Sequence, residues 1–499
     1  MGGVSPITPD HVNPESPWPH LELLERKTEE EGKVLVERLT AYPQYVRDAD
    51  TWIAKDLRAA LVQGSDAEGF ARADPWSPGD GDTLLPQKLL RHIRTVSTLN
   101  VSTRTEELCG KTRRGLRLTE FEIAELFTTR GDDFVAVLRA ANELRHQING
   151  DEVTYVVNRN INYTNVCYFR CRFCAFSKGK LSENLRGAPY VLDLDEISRR
   201  SIEAWERGGT EVCMQGGIHP DYTGETYLEI CRTVKSAVPE MHVHAFSPLE
   251  VWQGAETLGI SLREFLVRLK DAGLGTLPGT AAEVLDDEVR QELCPDKLST
   301  SQWFEVMETA HAVGFKTTAT IMYGHIDRPL HWGRHLKRIR ELQVKTGGFT
   351  EFVPLPFVHM EAPIYLKGRA RKGPTFRESL LMHAVARLAL HPVLPNIQTS
   401  WVKMGPRGVA ECLNAGANDL GGTLMNESIT RAAGASFGEE LSPEEMESVI
   451  SCVSRTPKQR STVYGQPTDQ QMRRSFGAAE LLPIIQTPVV ERSRSGPVG

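Results

Sequence analysis

Cys167-Tyr-Phe-Arg-Cys171-Arg-Phe-Cys174 sets three cysteines within eight residues, spaced by three and then by two. Thiolates are soft ligands suited to iron–sulfur clusters and to zinc. Structural zinc normally takes four ligands in paired knuckles, and the chain has no second Cys-x2-Cys. Cys109, Cys213, Cys231, Cys294, Cys412 and Cys452 stand alone and read as small hydrophobes. Three thiolates on a four-iron cluster leave one iron without a protein ligand, free to chelate a substrate. Phe173, just before the last cysteine, would shield that cluster from water. Cys167, Cys171 and Cys174 are the candidate metal ligands; a zinc-stabilised, non-catalytic protein is the alternative.

Working outward, the loop follows a β-branched run at 153–162 and opens a long alternation of strands and helices. Strands are expected at 153–162, 211–215, 242–246, 275–278, 316–322, 352–355, 396–400 and 418–420. Between them, Ser261 caps a segment with Leu262, Phe265, Leu266 and Leu269 on one face, closed by Gly273. Ser299 and Gln302 form a capping box before Trp303, Val306, Met307 and Ala310. Eight strands alternating with helices over about 270 residues have the rhythm of an α/β (β/α)8 barrel of the TIM type, with a doubly wound open sheet as the alternative. A barrel puts its chemistry on the loops that leave the C-terminal ends of strands.

Four of those loops carry candidates. Cys213-Met-Gln-Gly-Gly-Ile-His-Pro220 follows the second strand, and two adjacent glycines, Gly216 and Gly217, let backbone approach a ligand. His219 reads as a catalytic candidate or as a residue holding the turn before Pro220. Glu283, after the fourth strand, could accept hydrogen bonds from a ribose or an amino group, or favour a helix N-terminus. His325, in Thr320-Ile-Met-Tyr-Gly-His325, could move a proton near neutral pH or be a solvated loop residue. Gly421 and Gly422, after the last strand, could seat a substrate or allow tight packing.

The ends differ from the middle. Residues 1–75 read as a helical remnant and linker: a proline-rich run at 1–20 that cannot be helix, a helix over 21–42, and a linker at 64–84 rich in Gly, Pro and Asp. Residues 76–150 return to helix as a preface, 151–455 form the barrel, and 456–499 turn polar and read as a disordered tail. Nine cysteines, an odd number with three bunched, fit a reducing cytoplasm and a metal site. The net charge of −7 is spread out and gives no sign of nucleic acid. No apolar run reaches the roughly 18 residues that a membrane span needs.

The Cys-x3-Cys-x2-Cys spacing with an aromatic before the third cysteine resembles the signature of radical S-adenosylmethionine enzymes. That resemblance implies a 4Fe-4S cluster whose open iron binds S-adenosylmethionine and cleaves it to a 5′-deoxyadenosyl radical. The Gln215-Gly216-Gly217 turn resembles the superfamily's "GG" motif, whose backbone meets the methionine part of the cofactor. More narrowly, the segments 160–176, 215–221, 322–325 and 418–423 resemble the deazaflavin (FO) synthase family and its menaquinone-pathway relatives, among them aminofutalosine synthase. The likeness is to the CofH-like half, which joins L-tyrosine to 5-amino-6-(D-ribitylamino)uracil. It implies fragmentation of the tyrosine Cα–Cβ bond and transfer of a p-hydroxybenzyl group to C5 of the diaminouracil. Residues 2–14 resemble the end of the CofG-like half, which closes the ring. With that half's own cysteine motif absent, a CofG-like partner is the implied recipient of the adduct.

Overall fold

The computed structural model describes Glu15, residues 20–177 and residues 188–488. The expectations for residues 2–14 and for 489–499 lie outside the described residues. The run expected as one first strand is two: β1 (Glu152–Val156) and β2 (Asn158–Ile161). A two-residue pair, β3 (Tyr190–Val191), follows. Next come β4 (Glu211–Met214), β5 (His242–Ala245), β6 (Leu274–Leu277), β7 (Lys316–Tyr323) and β8 (Phe349–Pro356). The last are β9 (Asp419–Gly422), β10 (Thr456–Gln459) and β11 (Thr487–Pro488).

The strands β2-β4-β5-β6-β7-β8 form one six-stranded sheet, parallel throughout. Residues 396–398 do not make the full strand expected of them. Single parallel bridges, Phe352 to Ile397 and Gln398 to Asp419, carry the circuit onward to β9. β9 pairs with β1, which runs directly into β2 and closes the ring. This is the (β/α)8 barrel. The one-residue break at Val157 lets the first strand serve two sheets, one with β9 and β10 along β1 and one with β4 along β2.

Alternate side chains on these strands point inward, and here many are polar: Asn158, Asn160, Glu211, Cys213, His244, Thr318, Thr320 and Glu351 line an interior cavity. An ordinary barrel fills this space with branched hydrophobes. Outside the ring, Ser261 and Ser299 cap the helices Leu262–Asp271 and Thr300–Val313 as the sequence implies. The helix Phe376–Leu390 is buried along its whole length apart from Arg377, since the helix Gly131–Asn149 covers its outer face.

The preface is part of the same core. Phe127 packs edge-on against Trp332 at 4.9 Å, and Trp76 against Phe376 at 5.1 Å. Two expectations need correction here. The helix expected over 21–42 spans only Leu21–Glu30, ending before Gly32 at a positive φ. The stretch 64–84 is not a loose linker. Hydrogen bonds tie it to the barrel: Ala67 N–H donates to Glu378 at 2.7 Å, Arg72 to the Gly373 carbonyl at 2.7 Å, and Gly79 N–H to the Lys403 carbonyl at 2.7 Å.

A third correction concerns the tail. Residues 456–488 are ordered, not disordered: β10 pairs with β1 in parallel, Thr468 caps the helix Asp469–Ser475, and β11 pairs with β3. The reason is ionic. Arg460, buried in the barrel, donates to Asp419 at 2.6 and 3.0 Å and to Glu351 at 3.2 Å, and Tyr464 donates to the same Glu351 at 2.8 Å. A polar segment orders when buried partners wait for it.

Candidate active site

The cysteine loop leaves β2 and folds over the C-terminal mouth of the barrel. Cys167, Cys171 and Cys174 are each half-buried and unpaired, and all three line the interior cavity of about 410 Å³. Burial pushes the Cys171 thiol well above its ordinary value, opposed by the charge of Lys297. One zinc ion at about 2.3 Å from each sulfur would draw the three Sγ atoms to within about 4 Å of one another. They are not so drawn. Among the described residues, the group of three ligating side chains whose donor atoms all lie within 4.8 Å is Asp286, Glu288 and His331. A cluster asks for no such convergence, since each sulfur takes a different iron. Phe173 lines the cavity beside them, with the Lys297 ammonium 5.4 Å from its ring centre.

Gln215, Gly216 and Gly217 line the same cavity. The glycines serve packing at least as much as ligand approach. A Cβ on Gly216 would lie 2.3 Å from the Tyr163 ring, and one on Gly217 would lie 2.1 Å from the Val166 carbonyl oxygen. Gly217 N–H donates to the Thr164 carbonyl at 2.9 Å, and Tyr168 N–H to the Ile218 carbonyl at 3.1 Å. The turn after β4 is thereby laced to the cysteine loop after β2. Glu250 locks the junction from behind. It caps the helix Pro248–Leu258 through Ser247, accepts from Gly216 N–H at 3.3 Å, and is hydrogen-bonded by the Tyr163 hydroxyl. Burial raises its carboxyl above the usual range despite these donors.

Glu283 also reaches the cavity, on a backbone with φ +43°. One of its oxygens is held by Lys297 at 2.5 Å. The two candidate histidines do not line the cavity. His325 is fully buried behind the mouth, its Nε2 3.0 Å from the Met322 carbonyl and its Nδ1 accepting from Ile326 N–H at 2.7 Å. Burial pulls its pKa down, against the pull of Asp327. His219 accepts from Asp221 N–H at 3.1 Å and stacks on Tyr222 at 4.9 Å. His219 holds its turn, the plainer of its two readings, whereas the expected solvated loop position of His325 needs correction: the residue is buried and bonded to the backbone of the turn after β7. Gly421 and Gly422 pack against Gln398 and Asn158 while lining the cavity.

Several cavity groups carried no sequence signal. Lys297 lies in an irregular run after a helix, and Arg460 in the polar tail. Glu211, His244 and Glu351 read as ordinary strand residues. Asn158 donates to Glu211 at 2.7 Å, and His244 faces the same carboxylate while its Nδ1 lies 2.7 Å from the Thr276 hydroxyl. Burial pushes Glu351 up to about 7, with Arg460 opposing and Asp419 reinforcing the shift. Glu250 was legible, because Ser247-Pro-Leu-Glu250 is a capping-box spacing.

Comparison with known proteins agrees with this geometry. Residues 161–339 match the radical SAM superfamily, and residues 346–472 match the CofH/MqnC C-terminal region. FO synthase of Streptomyces coelicolor is 44% identical over 526 aligned positions, which cover 97% of this chain and 60% of that protein. FO synthase of Mycobacterium leprae is also 44% identical, over 93% of this chain and 58% of its own length. The chain thus spans about 60% of the length of these relatives. The "5-amino-6-(D-ribitylamino)uracil--L-tyrosine 4-hydroxyphenyl transferase" of Methanopyrus kandleri is 52% identical over 328 residues, which cover 66% of this chain and 88% of that protein. Among solved structures, the FeFe-hydrogenase maturase HydG from Carboxydothermus hydrogenoformans superposes with a TM-score of 0.55 over 72% of this chain and 80% of its own, at 16% identity. Methylornithine synthase superposes with 0.54 over 70% of this chain and 97% of its own, at 18% identity. At such identities these two speak for the fold alone. The superfamily works with a 4Fe-4S cluster and S-adenosylmethionine, and the thiol spacing and cavity fit that pair. The chain belongs to the radical SAM superfamily and, within it, to the family of the FO synthases and their CofH-like tyrosine transferases.

Proposed function

We propose that this chain joins the 4-hydroxybenzyl group of L-tyrosine to 5-amino-6-(D-ribitylamino)uracil, a step in making the deazaflavin FO. The observation that carries the reading is the 52% identity, over 328 residues, to a relative described by that transfer. When bound, the cluster and S-adenosylmethionine would supply a 5′-deoxyadenosyl radical able to take a hydrogen atom from tyrosine. The chain's own part is to bind, orient and exclude water. Cys167, Cys171 and Cys174 hold three irons, and Phe173 covers them. The backbone of Gln215, Gly216 and Gly217 seats the methionine end of S-adenosylmethionine. Glu283, steadied by Lys297, offers its second oxygen to the ribose. The polar interior around Glu211, His244, Glu351 and Arg460 suits a hydroxyl- and amine-rich second substrate.

In this reading the chain works in the cytoplasm and passes its product to a CofG-like partner half. Among the described residues no helix is long and apolar enough to cross a membrane. The test is an anaerobic assay of the cluster-loaded chain with tyrosine, the diaminouracil and S-adenosylmethionine, read by mass. A new adduct of the two substrates is expected, with 5′-deoxyadenosine formed alongside. Cleavage of S-adenosylmethionine without the adduct would refute the assignment and turn attention to the chorismate-derived substrates of the menaquinone branch.

A further inference from the structure

Most buried cations around the cavity have a carboxylate at hydrogen-bond distance. Lys297 meets Glu283 at 2.5 Å and Arg460 meets Asp419 at 2.6 Å. Lys403 does not. It sits in the first turn of the helix Trp401–Asn414, just beyond the bridge at 397–398, and lines the cavity. Its Nζ donates to a neutral group, the Thr430 hydroxyl, at 3.1 Å. Among the described residues no carboxylate oxygen lies within 4 Å of it. Burial lowers its proton affinity, and the nearby charge of Glu427 opposes that shift.

Glu427 lines the same cavity and is itself buried. It accepts from the backbone N–H groups of Thr430 at 2.7 Å and Arg431 at 3.4 Å. Thr430 therefore touches both, its hydroxyl toward the lysine and its amide toward the glutamate. Behind them, Gly79 of the preface fixes the Lys403 carbonyl. A half-buried lysine and a buried carboxylate, both lining the cavity yet not joined, form a site for a molecule that carries the opposite two charged groups on one carbon.

We propose that Lys403 and Glu427, spaced by Thr430, bind the α-carboxylate and α-ammonium groups of the amino-acid substrate. The inference rests on the reading of tyrosine as that substrate. The clamp fixes the end of the amino acid that is not transferred and leaves its side chain free to point into the barrel. Lys403 and Glu427 are positioning residues.

The test is calorimetric titration of the cluster-loaded chain, with S-adenosylmethionine present, using L-tyrosine, tyramine (no carboxylate) and 3-(4-hydroxyphenyl)propionate (no amine). The native chain should bind tyrosine more tightly than either analogue. Lys403→Gln should weaken tyrosine about 10- to 100-fold, the worth of a hydrogen bond to a charged group, and leave tyramine nearly unchanged. Glu427→Gln should do the same for the amine, weakening tyrosine but not the propionate. Lys403→Arg, which keeps the charge, should restore part of the preference. Cluster absorption and S-adenosylmethionine binding, unchanged in each variant, exclude misfolding. If native protein binds tyrosine but Lys403→Gln keeps the full preference over tyramine, or loses both ligands alike, the clamp is wrong and the proposed function stands. If native protein binds no tyrosine, the proposed function fails and the clamp with it.

Discussion

Gly217 has no room for a side chain, because the Val166 carbonyl that a Cβ would strike belongs to the backbone of the cysteine loop and cannot swing aside. Gly217→Ala should push that loop off the turn after β4. Overpacking of this kind costs about 1–3 kcal/mol, concentrated where the thiols must keep their spacing. The variant should take up less iron per chain than native protein after identical anaerobic reconstitution, with weaker visible absorption. Full uptake would mean that the two loops are not mechanically linked. The glycine pair was legible from its doublet and its place after a strand, but the reason for it was not, since Tyr163 and Val166 lie about 50 residues earlier in the chain. His325 and His219 teach the converse. A histidine at a strand end is chemically suggestive in sequence, and only its hydrogen-bond partners reveal that it holds a turn.

At the scale of elements, β10 and the turn after it are the least expected part of the barrel. Arg455-Thr-Pro-Lys-Gln-Arg460 reads as a polar tail because the acids that order it, Asp419 and Glu351, are 41 and 109 residues away. The loop at 64–84 was misread for the same reason: its hydrogen-bond partners sit about 300 residues later. Local composition sees a segment's own charges and not the buried charges it will meet. Arg460→Met should leave two carboxylates in the barrel interior without their cation, a change that costs about 3–5 kcal/mol. Urea unfolding should show that loss as a lower midpoint. A midpoint equal to native would mean that the segment rests on the barrel without bracing it.

At the scale of the molecule, several histidines are buried in neutral form. His335 is held down at about 3 and His383 at about 4, both by burial, against an ordinary value of 6.5. Below pH 6.5 the unfolded chain takes up these protons and the native chain does not. Their contribution to stability is therefore full above 6.5 and lost as pH falls toward the folded values. The loss is about 1.4 kcal/mol per pH unit for each histidine. The urea midpoint should drop between pH 7.5 and 5.5, and His383→Gln should flatten the drop. An unchanged slope in the variant would contradict this origin.

The barrel itself was the most legible feature, because strand and helix alternation is written locally in β-branched runs, caps and glycines. Its closure was not, since the seventh strand is reduced to single bridges and the first serves two ladders. The three thiols were readable because their ligand spacing lies within eight residues. The rest of the cavity is assembled from inward-facing residues on many strands, and no single stretch announces it.

On the proposed function, Cys167, Cys171 and Cys174 hold a cluster with one iron open to S-adenosylmethionine. Electron paramagnetic resonance of the anaerobically reconstituted, reduced chain, with and without S-adenosylmethionine, tests it most directly. The expected result is a [4Fe–4S]⁺ signal that changes shape when S-adenosylmethionine is added and is absent from Cys171→Ala. A colourless, silent protein carrying zinc, or a cluster signal indifferent to S-adenosylmethionine, would contradict it.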